Sequence, residues 1–234
     1  LTLYYISLAT NFSTVRAICF DVDSTVCPEE GLDVLAEFCN KGEIVKRITS
    51  QAMDGELDVT EALDQRLKVL NLTKDLMHQF LDKNPLKLTP GIEKLSSILR
   101  KNEVDIYLVS GGIHELVDRV AKRLSIPDDH VYANKLIYND DGLVMDFDYN
   151  QPTSRSTGKA EVVAQIKSKL APNEGVLMVG DGATDAAASP PADAFIGFGG
   201  VVVRPAVKRT TPYYFYSFDE MLEFFKRAGL IRIL

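Results

Sequence analysis

Apolar runs that end in short polar loops recur along this 234-residue chain, and they constrain its fold more than any other feature. From residue 89 onward such runs alternate with amphipathic segments, for example the run 104–109 followed by a helical pattern over 116–124. Strands that alternate with helices predict an α/β fold with a doubly wound, mostly parallel, Rossmann-like sheet. A functional site is then expected along the carboxyl ends of the strands.

The segment 32–83 interrupts this alternation, because its apolar residues recur only at helical spacing. About four helices fit the segment, and it contains no strand candidate. The pattern predicts a small α-helical cap domain, residues 32–88, inserted into an α/β catalytic core formed by residues 1–31 and 89–234. The remaining predicted elements are a hairpin around 139–142, short strands at 194–197 and 201–203, and a closing helix over 219–227.

Two carboxylates lie one residue apart where the first apolar run, Ala17-Ile18-Cys19-Phe20, gives way to a loop. Side chains two positions apart on an extended backbone share a face, so Asp21 and Asp23 can point toward the same crevice. One of them can attack phosphorus while the other transfers a proton. The pair suggests a phosphoryl-transfer site, although a D-x-D-x-T pattern by itself also arises by chance.

Two further strand ends and one helix start supply the other parts that phosphomonoester cleavage requires. Asp181 can join Asp21 in holding Mg²⁺, a hard ion that takes few protein carboxylates. The loop Ser110-Gly111-Gly112 can cradle phosphoryl oxygens with a hydroxyl and backbone amides, and Lys159 can add a compact positive charge. Each feature alone is more often a turn or a solvated residue, but their combination in this order favours a phosphatase site.

Charge and cysteine content argue against several other classes. A net charge of −7 and a pI near 5.1 argue against a nucleic-acid partner, which needs clustered Lys and Arg. The three cysteines form no zinc pattern, so we expect a reducing, cytoplasmic location. The apolar segment 1–9 is too short to span a bilayer and is expected to pack on the surface, with no membrane partner. The aromatic stretch 213–218 is expected in the core or at a sheet edge, which leaves a homodimer open.

In this order, the motifs resemble those of the haloacid dehalogenase-like phosphatases, and the resemblance extends to the phosphoserine phosphatase family. The four superfamily motifs are Asp21-Val22-Asp23-Ser24-Thr25, Ser110-Gly111-Gly112, Lys159 and Gly180-Asp181-Gly182-Ala183-Thr184-Asp185. The narrower resemblance rests on Glu29-Glu30-Gly31, Gln51-Ala52-Met53, Arg66, Leu88-Thr89-Pro90-Gly91, Gln151-Pro152-Thr153 and the stretch 190–200. It covers the chain from Ala17 to the C-terminal helix.

The resemblance implies a role for each residue of these motifs. Asp21 would be the nucleophile that forms an aspartyl-phosphate. Asp23 would protonate the departing seryl oxygen and then activate the hydrolytic water. The implied ligands of Mg²⁺ are Asp21, the backbone carbonyl of Asp23, and Asp181, with Asp185 as outer-shell support. The residues implied for the phosphate are Ser110, Gly111, Gly112 and Lys159, with Thr184 lining the same pocket.

The substrate can also be considered from its charges. Phosphoserine carries an ammonium and a carboxylate besides its phosphate, so a selective pocket needs one anion and one fork-shaped cation. Glu30 can meet the ammonium, and Arg66 can meet the carboxylate. The helix pattern alone would instead pair Arg66 with Glu61 or Asp64 on the surface.

The resemblance and the charge argument together predict a Mg²⁺-dependent enzyme that hydrolyses the small molecule O-phospho-L-serine. This reaction is the last step of serine biosynthesis. Met53 would form an apolar wall of the pocket. Asp54, which stands where the family commonly has glycine, is expected to face solvent. Two alternatives stay open: a phosphatase of another small phosphomonoester, which would leave Glu30 and Arg66 unpaired, and a catalytically weak sensor of a phosphorylated ligand.

Overall fold

The structure is a computed structural model that describes residues 10–53 and 56–232, and it contains eight strands and ten helices in those ranges. The strands are β1 (Val15–Phe20), β2 (Asp105–Ile113), β3 (Val131–Asn134), β4 (Leu136–Tyr138), β5 (Val144–Phe147), β6 (Gly175–Gly180), β7 (Ala194–Phe198) and β8 (Tyr214–Phe215). The helices are α1 (Gly31–Phe38), α2 (Gly42–Met53), α3 (Val59–Leu70), α4 (Lys74–Lys83), α5 (Ile92–Lys101), α6 (His114–Leu124), α7 (Gly158–Lys167), α8 (Ala183–Ala186), α9 (Pro205–Lys208) and α10 (Phe218–Arg227).

Six strands form one parallel sheet in the order β3-β2-β1-β6-β7-β8, with helices on both faces. Side chains alternate along β1, so Ile18 and Phe20 pack with α5, α6 and α10, while Ala17 and Cys19 pack with α7. The direction of winding reverses between β1 and β6, which opens a crevice at their carboxyl ends. The predicted fold class, a doubly wound Rossmann-like sheet, is confirmed.

The four helices α1 to α4 lie between β1 and α5 in the chain and share a separate hydrophobic core. Leu35, Leu63 and Phe80 are buried in this core, together with Phe147 of β5. The strands β4 and β5 form an antiparallel hairpin. Thr73, just before α4, pairs with Leu143 in the loop of this hairpin. The hairpin therefore completes the core of the helical segment, although it follows much later in the chain.

One predicted strand is absent from the described chain. Residues 201–203 are irregular, and Val202 and Val203 are exposed. The edge beside β7 is instead taken by β8, where Tyr214 pairs with Gly197 and its ring lies so close that a side chain on Gly197 would collide with it. The β-branched composition of 201–203 favours a strand, but the free edge is already paired. The aromatic stretch lies at the sheet edge, as predicted.

The helices in the described ranges are short, and the longest of them have 12 residues. None combines the length and the apolar character that a membrane-crossing helix requires. Segment 1–9, which was expected to pack on the surface, lies outside the described residues.

Candidate active site

The loop after β1 carries Asp21 and Asp23 into the crevice. The backbone N–H of Asp21 donates to Val179 O at 2.9 Å, which ties the start of the loop to β6. Its carboxylate accepts a hydrogen bond from Val22 N at 2.8 Å, which limits the rotation of the side chain. Ser24 then turns the chain with a left-handed φ of 55°. The loop is thus fixed at its base and bent sharply at Ser24, four residues beyond Phe20.

Three carboxylates from two neighbouring strand ends meet in this crevice. One oxygen each of Asp21, Asp181 and Asp185 lie within 4.8 Å of one another, and all three residues are buried. Asp181 directly follows β6, and Asp185 lies in α8 one turn later. A side chain on Gly180 would collide with the Asp185 carboxylate, so this close approach requires glycine. The strand-end loops that were singled out in the sequence therefore do come together.

Two cations are paired with these carboxylates. Lys159 Nζ lies 2.7 Å from Oδ1 of Asp21 and 2.7 Å from Oδ1 of Asp185. Arg204 Nε lies 2.8 Å from Oδ2 of Asp181. Burial alone would lower the pKa of Lys159, but the two carboxylates raise it above its ordinary value. Lys159 is therefore a permanent positive charge at the crevice.

The carboxylates still carry more negative charge than their surroundings stabilise. Burial, and then the Asp21 charge, raise the pKa of Asp185 to about 7 even though Lys159 lowers it. The same two causes raise the pKa of Asp181, against the effect of Arg204. Three clustered carboxylate oxygens are the ligands that a hard divalent cation prefers, so the donor set fits a metal site. The carboxylate of Asp23 is not among the three. The sequence analysis had assigned only the backbone carbonyl of Asp23 as a ligand.

The loop at the end of β2 is prepared by its own hydrogen bonds and by a residue that the sequence analysis missed. Ser110 is fully buried, and its Oγ accepts from Gly112 N at 2.9 Å. Asn134, at the end of β3, donates through Nδ2 to Gly111 O at 2.9 Å. Its Oδ1 accepts from the hydroxyl of Thr153 at 3.1 Å. Asn134 therefore fixes the peptide that joins the two glycines.

Asp23 lies at the junction between the sheet and the helical segment. Its Oδ1 accepts from Gly31 N, the first residue of α1, at 2.8 Å. Burial, followed by the charges of Glu30 and Asp21, holds the pKa of Asp23 well above its ordinary range. A carboxyl group with a raised pKa can donate a proton near neutral pH and take it back later.

Two further charges approach from the helical segment. Ser24 Oγ donates to Glu30 Oε1 at 2.7 Å, and burial raises the pKa of Glu30 although this bond lowers it. Arg66 is partly buried on α3, where its Nε donates to Ala62 O at 3.0 Å. Burial lowers the pKa of Arg66, while the charges of Asp33, Glu30 and Asp23 oppose that shift.

Neither Glu30 nor Arg66 forms an ion pair with any residue that the structure describes. The surface alternative for Arg66 is wrong, because Asp64 pairs with Lys68 at 2.7 Å and Glu61 accepts from Gln65. The structure thus brings Glu30 and Arg66 toward the same side of the crevice, and neither is in an ion pair with a described residue.

The remaining predicted residues are placed less completely. Thr184 lies in the first turn of α8, half-buried. Met53 ends α2, and its side chain lies outside the described part of the chain, as does Asp54. Arg204 was missed because it follows a segment that was predicted as a strand. Asn134 could have been found, since a polar residue at the carboxyl end of a parallel strand is a recognisable signal.

With this geometry in view, the chain can be compared with known proteins. Residues 15–193 match the family model of haloacid dehalogenase-like hydrolases. The chain belongs to the haloacid dehalogenase-like hydrolases. This membership confirms the resemblance that the strand-end motifs indicated, and it agrees with the cluster of aspartates at the crevice.

Several relatives of this hydrolase are phosphoserine phosphatases. The phosphoserine phosphatase of Bos taurus is 44% identical over 211 residues, which cover 90% of this chain and 93% of the relative. The chloroplastic phosphoserine phosphatase of Arabidopsis thaliana is 44% identical over 212 residues, which cover 89% of this chain and 71% of the relative.

Solved structures agree with the fold. A substrate-bound phosphoserine phosphatase complex superposes with a TM-score of 0.77 at 26% identity and covers 90% of this chain and 98% of its own. The structure of DsGPDH of Dunaliella salina gives a TM-score of 0.80 at 34% identity over 91% of this chain. This hydrolase spans only 36% of that longer chain, so the same fold also occurs as part of a larger protein.

Proposed function

We propose that this hydrolase converts O-phospho-L-serine and water to L-serine and phosphate, the last step of serine biosynthesis. The observation that carries the proposal is the 44% identity to phosphoserine phosphatases over nine-tenths of the chain. The arrangement of Glu30 and Arg66 supports it, because the ammonium and the carboxylate of phosphoserine would give each of these charges a partner.

The proposed reaction has two steps. In the first, a carboxylate oxygen of Asp21 attacks phosphorus, the bond to the seryl oxygen breaks, and Asp23 gives that oxygen a proton. In the second, Asp23 takes a proton from water, the water oxygen attacks phosphorus, and the bond to Asp21 breaks to release phosphate. The raised pKa of Asp23 suits a group that must first donate a proton and then accept one.

The other residues would bind and orient the phosphoryl group. The hydroxyl of Ser110 and the amides of its loop would donate to phosphoryl oxygens, and Lys159 would balance their charge. The proposed ligands of Mg²⁺ are Asp21, the backbone carbonyl of Asp23, and Asp181, with Asp185 in support. The bound ion would stabilise negative charge on the phosphoryl group. Gly112, Met53 and Thr184 would line the pocket.

We also propose that residues 32–88 act as a cap on the core formed by residues 1–31 and 89–234, closing over bound substrate and excluding water. The hydrophobic core that α1 to α4 share supports this division, and the β4–β5 hairpin from the second part of the core packs against it. A cytoplasmic location and a homodimer are further predictions. Cell fractionation and sedimentation of the purified protein would test them.

The direct test measures phosphate release from O-phospho-L-serine, with Mg²⁺ and with EDTA, beside phosphothreonine, phosphotyrosine and a set of phosphosugars. We expect metal-dependent turnover that strongly prefers phosphoserine. Equal or faster turnover of another compound would discard the substrate and keep the reaction class. No turnover of any compound would favour a sensor of a phosphorylated ligand.

A further inference from the structure

A second cavity lies beside the crevice, between the helical segment and α6. Its volume is about 70 Å³, it is open to solvent on one side, and we call it the hinge cleft. Both connections between the helical segment and the sheet border it, at Cys27 and Glu29 on one side and at Leu86 and Lys87 on the other. Asp23 also lines it, so the hinge cleft reaches the catalytic loop.

Apolar surface makes up most of the wall of the hinge cleft. Val34 of α1, Phe80 of α4, and Leu116 and Val120 of α6 contribute side chains from three helices. Cys27 adds neutral surface, because burial raises the pKa of its thiol to about 12. An open cleft with this lining favours a small apolar ligand body that it covers on one side and that extends toward solvent on the other.

One cation in the wall forms no ion pair with any described residue. Arg119 of α6 donates through Nη2 to Asn84 O at 2.6 Å, and among the described residues it forms no ion pair. The neighbouring carboxylates are engaged elsewhere, since Asp118 pairs with Lys122 at 2.6 Å and Glu29 pairs with Lys87 at 2.7 Å. The wall also holds the Glu29–Lys87 pair and Asp23, whose Oδ1 accepts from Gly31 N. Arg119 is thus the cation of the wall that forms no ion pair among the described residues, and it can meet the charge of an organic monoanion.

We propose that the hinge cleft binds a small organic carboxylate, with its anionic group on Arg119 and its apolar body against Val34 and Phe80. We propose further that its binding slows turnover. A molecule in the hinge cleft touches both connections, and those connections must change shape if the helical segment moves when substrate binds and product leaves. A ligand that fits one arrangement better than the other shifts the equilibrium toward it. The effect on turnover rests on the proposed function, whereas the binding does not.

The test uses phenylacetate as the probe and phenylacetamide, its neutral analogue, as the ligand control. Binding is followed by protein-observed NMR, independently of activity. Two variants remove different parts of the site: Arg119→Gln removes the charge, and Val34→Phe fills the volume. Arg123→Gln is the matched control, because Arg123 lies on the same helix, pairs with Glu93 at 2.9 Å, and does not line the hinge cleft.

We expect phenylacetate to bind the wild type and the Arg123→Gln variant equally, and to bind the other two variants at least about tenfold more weakly, which corresponds to one ion pair or one lost apolar contact surface. Phenylacetamide should bind about tenfold more weakly than phenylacetate. With O-phospho-L-serine as substrate, the probe should lower kcat and leave KM unchanged.

Three results would overturn the inference: displacement of phenylacetate by O-phospho-L-serine, equal binding of phenylacetamide, or binding that neither variant weakens. If Arg119→Gln failed to fold, as judged by circular dichroism, Val34→Phe and the neutral analogue would still decide. Binding as expected by a protein that hydrolyses no phosphoserine would contradict the proposed function and leave the binding site standing.

Discussion

Two groups of charged side chains meet at the crevice, one near the strand ends and one on the helical segment. Within the part of the chain that the structure describes, only the first group is held by ion pairs. The strand-end group is held by ion pairs of 2.7 to 2.8 Å and consists of Asp21, Asp181, Asp185, Lys159 and Arg204. The helix-side group has no internal ion pair among the described residues and consists of Glu30, Asp33 and Arg66.

The difference separates reaction chemistry from substrate selection. Paired charges keep their geometry before a ligand arrives, as the reacting centre of an enzyme requires. Unpaired, partly buried charges cost free energy until a ligand supplies the opposite charge. A substrate with the wrong groups leaves that cost in place, and the site discriminates against it. The helix-side group is therefore suited to substrate selection, and the strand-end group is suited to the reaction itself.

The strongest test of the strand-end group is Asp21→Asn. The amide cannot act as the attacking carboxylate, so turnover of O-phospho-L-serine should fall by at least about 10³-fold. Phosphate release is the measurement, and urea denaturation checks that the fold is retained. Near-normal turnover by a folded variant would remove Asp21 from the nucleophile role.

Removal of a cation should affect stability in one group and not in the other. Lys159→Met leaves the buried carboxylates of Asp21 and Asp185 without their shared partner, and we expect the free energy of unfolding to fall by about 3–5 kcal/mol. Arg66→Met breaks no ion pair in the described chain and should cost far less. Urea unfolding of both variants compares them, and equal destabilisation would end the distinction between the two groups.

Sequence reasoning found the strand-end group more completely than the helix-side group, for a physical reason. A polar residue directly after an apolar run identifies a strand end, and neighbouring strand ends converge whatever the details of packing. Helical periodicity shows which face of α3 is apolar, but it does not show what covers that face. The packing of Phe147 among α1 to α4 depends on that tertiary choice, and so does the partial burial of Arg66.

The same limit explains Arg204. Its contact with Asp181 joins two segments that lie 23 positions apart, and no local pattern at 201–204 encodes the pairing. Asn134 could be recognised from the sequence as a polar residue at a strand end. Its partners Gly111 and Thr153, however, come from two other loops. Residue type and element can be predicted locally, whereas partners depend on the assembled sheet.

Arg66→Met also tests selectivity directly. The variant should raise KM for O-phospho-L-serine by about 30-fold or more, because the substrate carboxylate would lose a partly buried cation. O-phosphoethanolamine lacks that carboxylate, so the variant should change its KM very little. Lys68→Met is the matched control, since Lys68 lies on the same helix in an exposed pair with Asp64. An equal loss on both substrates would show that Arg66 does not recognise the carboxylate.

Ser24→Ala should produce a smaller, pH-dependent effect. Glu30 must be ionised to meet the ammonium of the substrate, and the hydrogen bond from Ser24 lowers its raised pKa. Without that bond the pKa rises further, so the acidic fall in kcat/KM should move to higher pH, with a loss of about tenfold at the acidic side. The profile for a phosphomonoester without an ammonium should not move. A shift of the same size for both substrates would assign the effect to the catalytic loop instead of to Glu30.

The smallest expected effect concerns a contact between the helical segment and the core, away from both groups of charges. Thr60, in the first turn of α3, donates its hydroxyl to Ser154 O at 2.8 Å and so links the helical segment to the loop before α7. Thr60→Val keeps the shape and removes the donor, which should weaken the closed arrangement and raise KM by about two- to fivefold with kcat little changed. Thr60→Ser restores the donor and should restore KM. Because Thr60 contacts neither group of charges, its loss should raise KM for phosphoserine and phosphoethanolamine alike. A loss confined to phosphoserine would mean that the helix-side charges are positioned by closure itself, so that selectivity and closure could not be separated.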